Sequence, residues 1–292
     1  MLPAPLFILC PGRSFSSVVC SMLGEHPELY GLPEVNLFIA DTVGELLDMV
    51  DHPGQRNMRH GILRVLAELD HGEQTDQTIE AAFAWLEERR AMGTRDLYYH
   101  VCERAAPRRV VDKSPPHGRP ENLKRLFQAF PQARFLHLGR HPRTSGISTF
   151  KAKQNKTRIA STNPGEVQRR WDALHQGILD FAARLPPGQL MYLQGEMLLE
   201  NPDPFLRQIA DWLGVSADPE AIEAMKHPEA SPYARPGPDQ ARGGNNRGFL
   251  ENPALRIGPI KPSSLNGPLE WMPDGSGFGQ TTYLLARRLG YR

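Results

Sequence analysis

The apolar run Leu6-Phe7-Ile8-Leu9-Cys10 has no polar alternation and is too short for a helix, so it reads as a strand buried on both faces. It breaks at Pro11-Gly12, a strong turn signal, and Val18, Val19, Met22 and Leu23 then follow helical spacing, with Gly24 as a C-terminal stop. The unit is strand, tight polar loop, helix. Similar short apolar runs predict further strands near residues 109–112, 134–138 and 189–193. Helical periodicity predicts helices over Glu121–Phe130, Gly165–Arg184, Phe205–Leu213 and Tyr283–Leu289. His26–Glu34 reads as a pair of turns around a short strand, and the pattern Phe38, Val43, Leu46, Leu47, Val50 predicts a helix from Val35 to Val50.

Residues 51–106 read as a helical insert, with apolar stripes at Ile62–Leu69, at Ile79, Phe83 and Leu86, and at Leu97–Val101 behind a cap at Thr94. The insert carries no chemical motif. Core packing is the expected fate of its tyrosine pair, Tyr98 and Tyr99, ahead of contact with a substrate. From Pro228 to Gly279 the composition turns to Pro, Gly, Asn and Ser, and periodicity stops. Strand and helix alternation opened by a phosphate-type loop predicts an α/β fold: one domain over residues 1–292, a P-loop-type doubly wound parallel sheet flanked by helices.

Composition narrows the partners. With 292 residues and 40% hydrophobic content the chain can bury a sizeable core, while a net charge of +1 supplies no global field for nucleic acid or an acidic membrane surface. Any anion site must be local. Three cysteines without metal-ligand spacing fit a reducing compartment. No segment reads as a targeting peptide or a membrane span, so a cytoplasmic location is expected. The one-turn pair His137 and His141 straddles a strand end rather than a helix face, and no metal site is expected.

The local chemistry lies at the ends of the predicted strands. A loop between strand and helix aims backbone amides and the positive end of the helix dipole at one point, and phosphate is the natural tenant. Arg13 adds a fixed cation, and Ser14, Ser16 and Ser17 add hydroxyls. No Gly-Lys dipeptide occurs in the chain, so the magnesium-dependent nucleotide triphosphate loop is not present. Lys113 follows the second strand, and Arg140 and Ser148 follow the third. Lys151, Lys153, Lys156 and Arg158 form a basic run, read as a solvated loop or as a face for an acidic acceptor or carrier protein.

The segment Pro11-Gly12-Arg13-Ser14-Phe15-Ser16-Ser17 resembles the 5′-phosphosulfate loop of the sulfotransferases, with Phe15 where that family usually has glycine. The resemblance extends to four more elements. His26-Pro27 with Glu34 is similar to the tyrosylprotein and polyketide-associated branches, where in the tyrosylprotein enzymes the glutamate is the base. Asp112-Lys113-Ser114-Pro115 is similar to the element whose lysine contacts the transferring sulfuryl group; His117 lies near where some members carry a histidine base. Arg140-His141-Pro142-Arg143 with Ser148 matches the pair that grips the donor's 3′-phosphate. Arg242 or Arg247-Gly248 stands for the Arg/Lys-Gly of a closing C-terminal loop, whereas Gly195 replaces a tyrosine that can stack on adenine.

The resemblance thus implies a sulfotransferase using 3′-phosphoadenosine 5′-phosphosulfate (PAPS), releasing 3′-phosphoadenosine 5′-phosphate (PAP) and requiring no metal. It implies Glu34, Arg13, Lys113 and His117 as candidate catalytic groups. Gly12 through Ser17, Arg140, Ser148, Arg247 and Gly248 are the implied donor contacts. The acceptor would be a hydroxyl or amine on a small-molecule, lipid, glycan or carrier-bound partner. Two alternatives stand beside it: a nucleotide kinase or NTPase on the same fold, and a non-catalytic nucleotide-binding relative.

Overall fold

Five short strands frame the chain: β1 (Leu6–Leu9), β2 (Leu29–Gly31), β3 (Arg109–Asp112), β4 (Arg134–Gly139) and β5 (Leu190–Gln194). In the computed structural model, which describes residues 2–52, 54–154, 163–258, 260 and 263–292, they pair in parallel in the order β2-β3-β1-β4-β5. The central strand β1 places Leu6 opposite Val111 and Arg134, and Phe7 opposite Asp112 and Phe135. Successive side chains of a strand leave on opposite faces, so Phe7 and Leu9 enter one apolar cluster while Leu6 and Ile8 enter another. Both faces are therefore covered, as a parallel sheet requires.

The helices are α1 (Ser16–Gly24), α2 (Val43–Asp51), α3 (His60–His71), α4 (Asp76–Glu87), α5 (Thr94–Ala105), α6 (Pro120–Ala129) and α7 (Pro142–Gln154). They continue with α8 (Pro164–Ala182), α9 (Gly195–Glu200), α10 (Pro202–Leu213), α11 (Pro219–Ala224), α12 (Arg247–Glu251) and α13 (Gln280–Arg288). Helix α2 and the insert helices α3 to α5, with α6 and α8, pack on the Phe7 face; α1 and α9 to α11 pack on the Leu6 face. No helix among the described residues is long and apolar enough to cross a membrane.

Two expectations are corrected. The helix predicted from Val35 is broken: Asn36 takes a left-handed φ of 55°, Leu37–Ile39 form a single 3₁₀ turn, and α2 starts only after Thr42. Thr42 and Glu45 make a reciprocal capping box, a start signal that overrides the apolar spacing upstream of it. Thr94 is likewise not the cap of α5, which begins after Gly93; its hydroxyl donates to the Ala40 carbonyl at 2.8 Å and ties the insert together. Tyr98 is fully buried among Phe7, Phe38 and Phe130, and Tyr99 donates to the Ala129 carbonyl.

Residues between α11 and α13 follow no period but run back across α3 to the phosphate loop. Their anchor is Arg64 of α3, 1% exposed, which donates to Gln74 Oε1 and to the carbonyls of Pro232, Arg235 and Gly243. Burial lowers its pKa to about 10. A cation so placed is held by carbonyl dipoles in place of a carboxylate.

Candidate active site

The loop after β1 is built on two left-handed residues, Arg13 (φ 70°) and Phe15 (φ 65°), a conformation side chains adopt only when the surroundings enforce it. Phe15 is the residue before α1 and offers no side-chain cap, so the first-turn amides of α1 have no capping side chain among the described residues. Ser14 Oγ is fully buried without a hydrogen-bond partner among the described residues, while Gly12 has open space where a Cβ would stand. An orphan hydroxyl, uncapped amides and an open glycine form a cradle for an oxyanion. The neighbouring thiols are not nucleophiles, since burial pushes Cys10 and Cys20 up to about 12.

Arg13 and Arg140 converge on this cradle. Arg13 Nε donates to Ser148 Oγ at 3.1 Å; Arg140 donates to the Arg13 carbonyl at 2.7 Å and to Thr144 Oγ1 at 3.1 Å. Neither guanidinium has a carboxylate ion-pair partner among the described residues. Burial is the main pull on both, lowering their pKa values; for Arg140 the Glu196 carboxylate opposes and the Arg13 charge adds to the shift. Two partly desolvated cations held by neutral acceptors make a locally positive site whose chemistry suits an anion.

The Phe15 ring lies under the Arg140 guanidinium at 4.3 Å, a cation-π contact that fixes that side chain. A Cβ built on Gly195 would stand 2.5 Å from Phe15 Cδ2. Phe15 and Gly195, both unusual for the resembled family, are thus one feature: the ring at 15 fills the room a side chain at 195 would need.

On the other side of the loop, Lys113 Nζ donates to Ser17 Oγ at 3.2 Å and to Glu34 Oε1 at 3.0 Å, and the lysine side chain is wholly buried. Asp112 sets the turn that carries it. Its Oδ1 accepts from the Ser114 amide and hydroxyl, and its Oδ2 meets His117 Nε2 at 2.8 Å. Burial alone would raise the Asp112 pKa, but the His117 charge and these hydrogen bonds bring it below the usual carboxylate range. Glu34 is clasped through its backbone: its amide donates to the Gly244 carbonyl at 2.6 Å, and a Cβ on Gly61 of α3 would run into its carbonyl. The Asn246 amide donates to Ser17 Oγ at 3.2 Å, so the C-terminal segment closes directly on the loop.

The fold therefore brings Gly12 to Ser17, Glu34, Lys113, Arg140 and Ser148 to one strand-end cluster. His117 is not among them; it is fully buried, its ring against Phe7 and Phe38, and it faces Asp112. Arg247 points to solvent beside Glu251, and Arg242 beside Asp239, although the neighbouring Asn246 touches the loop. Lys156 and Arg158 lie outside the described residues, as does the side chain of Lys153. Sequence reasoning missed Gly61, Arg64 and Gly244. The dipeptide Gly243-Gly244 was a signal of close backbone approach, but nothing local says what approaches. No group of three or more His, Cys, Asp or Glu side chains among the described residues is placed to hold a metal.

A sequence model of the Sulfotransferase family matches residues 5–219. The fold is shared with the sulfotransferase domain of the olefin synthase from Synechococcus PCC 7002, at 24% identity and a TM-score of 0.79, the match covering 99% of this chain and 94% of that one. It is shared equally with the sulfotransferase domain from the curacin biosynthetic pathway, at 22% identity and a TM-score of 0.77, covering 100% and 99%. A sulfotransferase from Mycobacterium avium is more distant, at 15% identity and a TM-score of 0.55, covering 99% and 76%. A search of curated proteins found no match.

Proposed function

The chain belongs to the sulfotransferase family, and on that premise we propose that it transfers the sulfuryl group of PAPS to the hydroxyl of a small-molecule or carrier-bound acceptor. The observation that carries this reading is that the Arg140 guanidinium sits on the Arg13 carbonyl and the Arg13 guanidinium on Ser148, neither with a carboxylate ion-pair partner among the described residues, beside the uncapped start of α1. The buried Ser14 hydroxyl, unpartnered among the described residues, fits a phosphosulfate in the loop; Arg140 and Ser148, which both touch Arg13, are the groups this reading gives to the 3′-phosphate.

In the proposed step the acceptor oxygen attacks sulfur in line with the bridging oxygen of the phosphosulfate. The new O–S bond forms as the old S–O bond breaks, the acceptor proton passes to a Glu34 carboxylate oxygen, and PAP leaves with the bridging oxygen on its 5′-phosphate. In this reading Lys113 stabilises charge on the sulfuryl and leaving oxygens, and its hydrogen bonds to Ser17 and Glu34 support that role and an oriented base. Glu34 accepts the proton as attack proceeds, since a carboxylate is too weak a base to deprotonate an alcohol beforehand.

The test is transfer of label from [35S]PAPS to a panel of phenols and alkanols, beside ATP with magnesium as the rival donor. Labelled product from PAPS alone is expected. Phosphoryl transfer or ATP hydrolysis in place of sulfuryl transfer would overturn the reading in favour of a kinase or NTPase.

A further inference from the structure

Beside the phosphate loop opens a cleft of about 470 Å³ whose wall includes Gly12 and Arg13. It is separate from the groups that flank the rest of the proposed donor: Phe15, Arg140, Ser148 and Gly195 do not line it. It runs between the Pro115-Pro116 turn after β3 and the facing sides of α7 and α8, under the segment that carries Trp271 and Phe278. The volume suits a small organic molecule.

Its walls are apolar and fixed in place. Trp171 and Trp271 are 4% and 3% exposed, and Leu174 and Phe278 complete the same surface. Trp271 packs edge-on to Phe278 and its six-membered ring covers Gly146, where any Cβ would collide with it. Arg143 of α7 pins this segment by donating to the carbonyls of Ser264, Asn266 and Pro268. Trp171 Nε1 donates to the Arg140 carbonyl at 3.1 Å, so one wall is tied to the arginine that follows β4. Of the polar groups along the cleft, Gln168 is used by Gly279 and Thr282, Arg170 is paired with Glu166, Arg119 is exposed to solvent, and Ser145 and Thr149 of α7 add two hydroxyls to an otherwise largely apolar wall.

We infer that this cleft is the acceptor site, and that the acceptor is a hydroxyl on an apolar, aromatic or alkyl, skeleton rather than a glycan. The inference rests on the sulfotransferase reading above and names the substrate class of that same site. Two observations carry it. The cleft reaches the loop at Pro11, Gly12 and Arg13, so a molecule filling it presents one end to the phosphosulfate, while the opposite end lies against the tryptophans. A sugar would bring many hydroxyls into a cavity walled by two tryptophans, a phenylalanine and five prolines, and each hydroxyl left without a partner there is penalised. An aryl or alkyl skeleton loses nothing polar and gains the aromatic contacts.

The experiment compares 2-naphthol, 4-octylphenol and N-acetylglucosamine as acceptors of label from [35S]PAPS, in the wild type and in two variants that fill the cleft. Leu174→Trp fills it from the half-buried wall; Ala173→Trp does so from an exposed position that cannot disturb the core, and keeps the test intact if the first variant does not fold. For the wild type, kcat/KM for the phenols should exceed that for the sugar by about a hundredfold or more. In the variants kcat/KM for the phenols should fall by about tenfold or more while the Kd for PAP, read by calorimetry, stays within about twofold. A preference for the sugar, or phenol turnover untouched by both variants, would overturn the inference. So would weakened PAP binding in the variants, because the cleft would then belong to the nucleotide. Failure of the wild type to bind PAP at all is a different result and strikes the sulfotransferase reading itself.

Discussion

Arg140 joins three parts of the site: its guanidinium donates to the Arg13 carbonyl, stacks on Phe15 and stands one helical stretch from Ser148. A hydrogen bond to a charged group is worth about 1.5–3 kcal/mol, so Arg140→Ala should weaken PAP by roughly ten- to hundredfold and leave adenosine 5′-phosphate nearly unchanged, as read by calorimetry. Equal losses for both ligands would remove Arg140 from the 3′-phosphate. Glu34→Gln keeps size and most hydrogen bonding but cannot take a proton, and turnover should fall by about 10²–10⁴ with PAP affinity intact. His117 was legible as a candidate base only from its place in the sequence. The fold buries it against Asp112, where one-sided removal leaves a carboxylate unpaired; His117→Ala is expected to lower stability by about 3–5 kcal/mol in chemical denaturation. A His117→Ala protein that is stable and inactive, beside an active Glu34→Gln, would transfer the base to the histidine. Phe15 and Gly195 show the limit of reading residues singly, since each departs from the family pattern and only contact between them explains both.

Among the elements, α3 does more than a helical insert promises. Its Arg64 holds the 232–243 segment by three carbonyls, and its Gly61 lets the Glu34 backbone pass. Arg64→Met strands those carbonyls in the interior and should cost about 3–5 kcal/mol of stability. It should also reduce turnover, because Gly244 and Asn246 then lose their hold on Glu34 and Ser17. Wild-type turnover in that variant would disconnect the strap from the site. Between β4 and α8, His137 and His175 share a hydrogen bond of 2.7 Å, and burial lowers both pKa values, to about 3 for His137. In the unfolded chain each would titrate near 6.5, so below that pH the unfolded state binds the extra protons. Stability is expected to be level above about pH 6.5 and to fall as the pH drops toward 3, by about 1.4 kcal/mol per unit per group. Denaturation midpoints measured from pH 8 to 4 check this; a midpoint that rises on acidification contradicts it. The strands and most helices were legible because burial on both faces and apolar stripes are local patterns. The broken helix at 35–50 was not legible from apolar spacing, because the Thr42–Glu45 capping box and the left-handed Asn36 decide it rather than hydrophobicity.

Over the whole molecule, the motifs that were legible are the ones each carried by a single strand end, and the parallel sheet gathers those ends at one edge. What escaped is what several distant segments build together. The cleft draws on residues 11–13, 115–120, 142–149, 167–174 and 271–278, and no spacing along the chain connects them. The C-terminal segment has no period because its own hydrogen bonds close short turns, such as Ala241 to Pro238 and Met272 to Leu269, while others go to side chains of α3 and the loop. The central claim, that this edge holds a nucleotide bearing both a 5′-phosphosulfate and a 3′-phosphate, can be read without knowing the acceptor. The measurement is calorimetric titration of the metal-free chain with PAP and with adenosine 5′-phosphate. Binding of PAP tighter by about tenfold or more is the predicted result, from the charge-assisted contacts of Arg140 and Ser148; equal affinity for the two nucleotides, or binding of neither, would contradict the account.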